Sequence, residues 1–177
     1  MFEYIMMDIK AAKKRDPAAR NYLEIVLLYQ GVHALVSYRI AHWFYIHKYY
    51  FIARYISQRS RKKTQIEIHP GARIGYGNFI DHGGGVVIGE TSIIGNNCTI
   101  YQGVTLGATG KEKSKKRHPT IGNDVMIGAG AKILGNVKIG NKCRIAANAV
   151  VLHSFMDNLT LAGVPAKIVK KSGLCNN

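Results

Sequence analysis

The chain has 177 residues, 47% hydrophobic and 20% charged, which is enough apolar material for one ordinary core and too mixed for a disordered or fibrous protein. Lys and Arg number 25 against 10 Asp and Glu, and the formal charge of +15 favours anionic ligands. The three cysteines (Cys98, Cys143 and Cys175) are odd in number and widely spaced, which excludes a disulfide framework and points to a reducing, cytoplasmic setting.

The N-terminus "MFEYIMMDIK" has no basic start followed by a long apolar run, so no secretory leader is expected. Residues 22–56 are the most apolar region. Glu24, His33, Arg39, His42, His47, Lys48 and Arg54 interrupt it, and it cannot supply the ~20 apolar residues of a membrane span.

Residues 1–63 are expected to form an N-terminal helical region. In "RDPAARNYLEIVLLY" Asp16 precedes Pro17, which reads as an N-cap followed by the proline favoured in the first turn. Gly31 then breaks the pattern. Further helices are expected through "HALVSYRIAHWFYIH" and "YFIARYISQRSRKK". The aromatic series Tyr38, Trp43, Phe44, Tyr45, Tyr49, Tyr50 and Phe51 reads as core or subunit contact rather than a cofactor site.

The period changes at residue 64. Aliphatic residues return every six positions at Ile68, Ile74 and Ile80. After a shift of two they resume at Ile88, Ile94, Ile100 and Leu106, then at Ile121, Ile127, Ile133, Ile139, Ile145 and Val151. Four places after the aliphatic residue comes a small or β-branched one, such as Ala72, Ser92, Cys98, Val125 or Ala131. A helix would scatter this set around its circumference, whereas short strands joined by turns turn each hexad inward. The fold class expected is α+β: the helical segment, then a left-handed parallel β-helix of hexapeptide repeats over 64–154, with a C-terminal tail over 155–177. Leu106 and Ile121 are fifteen positions apart, three more than two hexads, so the polar stretch at about 107–120 is expected to be an extruded loop.

Of the seven histidines, His33, His42 and His47 read as structural, and His153 has no charged partner upstream. His69, His82 and His118 remain. His82 follows Asp81 and precedes three glycines in "IDHGGGVVIGE"; His118 follows Arg117 at the end of the basic loop. Acyl transfer to a hydroxyl needs a base poised near neutral pH and a carboxylate to orient it, for which Glu67, Asp16 and Asp81 are candidates. An amino-acid acceptor also needs a cation and an anion, which Arg117, Asp16 and Asp81 can supply. A metal site is not expected, because no second histidine follows His118 at ligand spacing. The loop lysines have no interleaved aromatics, which argues against nucleic acid, and "GATGK" lacks phosphate-loop spacing.

The segments "RDPAAR", "GVHALVSYRIAHW", "IEIHPGARIG", "DHGGGVVIGET", "YQGVTLGATGK", "KRHPTIG" and "GAGAKILG" together resemble the bacterial serine O-acetyltransferases over residues 8–169. The resemblance implies acetyl transfer from acetyl-CoA, as co-substrate rather than permanent cofactor, to the hydroxyl of L-serine in a ternary complex, towards cysteine biosynthesis. It implies His82 as general base paired with Glu67, and His118 with Arg117 on the substrate. Asp16 and Asp81 would hold the serine amino group, and Thr109, Ala129, Gly130, Arg144 and Ala147 would line the acetyl-CoA groove between neighbouring prisms. L-cysteine is the implied feedback inhibitor. The short helical region favours a homotrimer over a hexamer. The tail "KKSGLCNN" departs from the C-terminal isoleucine by which some members dock into cysteine synthase, which weighs against that partner. Three other readings remain open at this point: a transferase with a sugar acceptor, a non-catalytic trimeric scaffold and a metal-dependent hydratase.

Overall fold

Four helices lead into a three-sided prism in the computed structural model, which describes residues 1–110 and 114–171. Lys111, Lys113 and Cys175 lie outside the described residues. The helices are α1 (Phe2–Arg15), α2 (Tyr22–Leu28), α3 (Gln30–Ile46) and α4 (Tyr50–Thr64).

The expected left-handed parallel β-helix is present, built mostly from strands of two or three residues in three sheets. The hexad aliphatics stack in register. Ile68, Ile88, Leu106, Ile133 and Val151 line the first sheet. Ile74, Ile94, Ile121 and Ile139 line the second, and Ile80, Ile100, Ile127, Ile145 and Leu161 the third. All are buried, and each such side chain withdrawn from water contributes about 1.5–3 kcal/mol. The small residues four places on fill the narrow corners; Cys98 and Cys143 are among them, and burial pushes the Cys98 thiol up to about 11, leaving it inert. The tail contributes more than expected: Leu159–Ala162 adds a parallel strand to the third sheet, and Lys167–Lys171 pairs antiparallel with it.

The helices cap the open end of the prism, where edge strands would leave backbone groups unpaired. The Tyr38 hydroxyl donates to Ala72 O and accepts from Ile74 N. Ser57 and His42 donate to Ile68 O and Pro70 O. Arg39 donates to Gly75 O at 2.7 Å and pairs with buried Asp8 at 2.6 Å, and Asp8 accepts from Asn78 N. His33 and His47 also bond backbone carbonyls, Val26 O and Trp43 O.

Two local expectations fail. Asp16 is the C-cap of α1, not the N-cap of the next helix; Asn21 caps α2 by accepting from Glu24 N at 2.8 Å. Gly31 does not break a helix but lies inside α3, where a Cβ would meet Ile80 O at 2.0 Å, so the glycine allows α3 to touch the prism edge. Of the aromatic series, Tyr38 is core, while Trp43, Tyr49, Tyr50 and Phe51 are exposed on the chain by itself.

Candidate active site

Each prism corner is a turn between sheets, and the chemistry gathers at two of them. The first corner leads from the third sheet to the first. Here His82, Gly83 and Gly85 have φ of 58°, +69° and +74°, a tight left-handed turn that absorbs the two extra residues in the repeat. A Cβ on Gly83 would lie 2.4 Å from Ile66 Cδ1, so a side chain there would displace Ile66 as well as strain the backbone. The His82 side chain is 76% exposed, and its Nε2 lies 3.9 Å from Asp81 Oδ1.

The link between α1 and α2 brings Asp16 to the same place. Asp16 Oδ1 accepts from Ala18 N at 2.8 Å and Oδ2 from the Tyr29 hydroxyl at 2.5 Å. Asp16, Tyr29, Gln30, Gly31, Asp81 and His82, with Leu28 and Ile80, line a cavity of about 290 Å³. An imidazole and two carboxylates thus share one pocket, an arrangement able to take up a hydroxyl proton and to hold a cationic group.

The second corner leads from the first sheet to the second and carries the extruded loop. His118 is only 7% exposed. Its Nδ1 accepts from Thr91 N at 3.1 Å, which leaves the ring proton on Nε2. Thr91 Oγ1 in turn accepts from the N–H groups of Arg117 and His118. Arg117 pairs with Glu90 at 2.7 Å, and the Tyr45 hydroxyl donates to the other Glu90 oxygen at 3.1 Å. His69 sits nearby as a neutral acceptor for Gly71 N; burial and then the Arg54 guanidinium hold it below the usual imidazole range.

Gly89 leaves the space the His118 ring occupies, since a Cβ there would lie 2.2 Å from the ring. Gly89→Ala is therefore expected to displace His118 and to lower activity by about tenfold or more, with the prism retained. Steady-state kinetics with circular dichroism checks this, because even a small misplacement of a positioned group costs about that much.

Glu67 does not meet His82. It pairs with Arg61, at the end of α4, at 3.2 Å, so the carboxylate nearest His82 is Asp81. The remaining positions separate by corner. Ala129 with Gly130, and then Ala147, occupy the equivalent turns two and three coils from that of His82, beyond the turn of Gln102 and Gly103, with roughly 4.8 Å between coils, and Arg144 lies on the strand entering that corner. Among the described residues no acceptor faces the N–H of Ala129 or Ala147. Thr109 lies on the loop of the other corner.

Sequence reasoning missed Tyr29, Tyr45, Glu90 and Thr91. The hexad register held a signal for two of them, because Glu90 and Thr91 fill a corner with polar side chains. The two tyrosines gave none, since their partners are distant in sequence.

The family description "Serine acetyltransferase, N-terminal" matches residues 1–37, "Hexapeptide repeat of succinyl-transferase" matches 85–108, and "Bacterial transferase hexapeptide (six repeats)" matches 118–153. The chain is 56% identical over 174 residues to the serine acetyltransferase of Staphylococcus aureus, covering 98% of this chain and 81% of that protein. Brucella abortus serine acetyltransferase, solved in complex with coenzyme A, superposes with a TM-score of 0.94 at 46% identity, covering 97% of this chain and 68% of that one. The Neisseria gonorrhoeae enzyme, solved in complex with serine, gives 0.91 at 43%, covering 96% and 69%.

Proposed function

Because the chain belongs to the serine acetyltransferase family, we propose that it transfers the acetyl group of acetyl-CoA to the hydroxyl of L-serine, using His82 as general base. The observation that carries this reading is the pocket in which an exposed imidazole stands beside Asp16 and Asp81. A neutral sugar acceptor has no need of two carboxylates, whereas the ammonium group of serine does.

His82 removes the hydroxyl proton as the serine oxygen attacks the thioester carbonyl, and returns it to the departing CoA thiolate. Acetyl-CoA supplies the activated acetyl group, and a ternary complex suffices once both substrates are aligned. Asp16 and Asp81 hold the ammonium group. Arg117 and His118 take the carboxylate. Ala129, Gly130, Arg144, Ala147 and Thr109 line the acetyl-CoA groove, where the free N–H groups of Ala129 and Ala147 suit the amide carbonyls of an extended pantetheine arm. Glu67 gives one carboxylate oxygen to Arg61, and its other oxygen is the one that would serve His82. L-cysteine, with the same ammonium and carboxylate groups, competes for the serine site.

The charged clamp stands on two corners, separated by the first-sheet side of the prism. Its stretch from residue 86 to 89 alone spans about 10 Å of extended chain. A second copy presenting its loop corner to this copy's His82 corner completes the site, and three copies around a three-fold axis close the arrangement.

The test is thiol release from acetyl-CoA with L-serine and a panel of sugar acceptors. Serine-dependent release is expected. Faster release with a sugar, or none with acetyl-CoA binding intact, would overturn the reading.

A further inference from the structure

We infer that Tyr29 is a positioning residue for serine recognition, acting through Asp16; this rests on the serine acetyltransferase reading above. Asp16 lies between α1 and α2 with nothing covalent to restrain its side chain. Two donors fix it: the N–H of Ala18 on Oδ1 and the phenol of Tyr29 on Oδ2. The second bond, at 2.5 Å, is the shorter, and hydrogen bonds to a carboxylate are the strong class.

Tyr29 can serve in this way because its own backbone is fixed twice. It closes α2, its N–H bonding Ile25 O, and it opens α3, its carbonyl accepting from His33 N. The phenol therefore projects from the junction of two helices, one of which touches the prism edge at Ile80 beside Asp81 and His82. The geometry transmits the position of the prism corner to a carboxylate that belongs to a different part of the chain. Removal from water, followed by the bond to Asp16, pushes the phenol up to about 12, so it remains a donor at any working pH.

The test is Tyr29→Phe, which removes one oxygen and keeps the ring. The KM for L-serine is expected to rise about tenfold, the loss of one hydrogen bond to a charged group. The KM for acetyl-CoA should stay unchanged, the melting temperature should fall by no more than about 5 °C, and kcat should change by less than about threefold. A second comparison separates positioning from general damage. With 3-hydroxypropionate, which has the hydroxyl and carboxylate of serine but no ammonium group, the variant and wild type should have equal KM. In a double-mutant cycle, Tyr29→Phe should add little to Asp16→Asn, because Tyr29 acts only through the charge that Asp16→Asn removes.

An unchanged serine KM in a folded variant would overturn the inference. So would an equal rise for 3-hydroxypropionate, or full additivity with Asp16→Asn. Absence of serine-dependent release in the wild type would instead sink the functional reading on which the inference depends.

Discussion

Replacing His82 with alanine is expected to lower kcat/KM for serine acetylation by about 10²–10⁴-fold, the usual contribution of a general base. The side chain is exposed and buries no core surface, so this loss should come without unfolding. One structural complication follows from the backbone. His82 has φ of 58°, a conformation that alanine adopts with some strain. His82→Asn is the matched control, since asparagine tolerates the left-handed region and cannot take up a proton near neutral pH. Both variants should bind acetyl-CoA normally and fail in thiol release. Activity of His82→Asn within a few fold of wild type would remove His82 from the base role and favour a non-catalytic reading of the turn.

The second large effect concerns subunits rather than side chains. A chain carrying His82→Asn and a chain carrying both Arg117→Ala and His118→Ala should each be nearly inactive alone. Refolded together, they should regain about one quarter of wild-type activity, because a cyclic interface reads in one direction and a random mixture supplies an intact pair of corners about one time in four. The reason is geometric. Asp16, Asp81 and His82 share one cavity, whereas Arg117 and His118 are held by Glu90 and Thr91 at the other end of the first sheet. If mixing restores nothing while assembly is normal by light scattering, the two halves act within one chain and the shared-site proposal is wrong. A monomeric mass for the wild type would contradict it more simply.

The comparison between sequence and structure divides along range. The hexads were legible because the inward position repeats every six residues. Ile68 and Val151, far apart in the chain, end in the same sheet by a rule visible in each repeat. The extruded loop was legible for the same reason, as an interruption of that rule between Leu106 and Ile121. The helix boundaries before residue 31 are less legible. Asp16 before Pro17 satisfies the local pattern for a cap, yet its carboxylate is engaged by Tyr29, thirteen residues on. Gly31 looks like a breaker in any local reading, and only the approach of Ile80 O shows what the missing side chain is for. Glu67 matches its motif but is held by an arginine of α4, a partner no spacing rule identifies.

The sequence by itself therefore determined the prism, its phase and the place of its loop, and it singled out the candidate titratable residues, because each depends on a period or a short motif. The tertiary structure alone decided which of those residues meet. It put Asp16 beside Asp81 and His82, set Arg117 and His118 on a separate corner, and gave Tyr29 and Tyr45 charged partners to brace. Such pairings depend on how the helices cap the open end of the coil. That docking is set by backbone groups at the prism edge, which every residue carries and no sequence pattern marks.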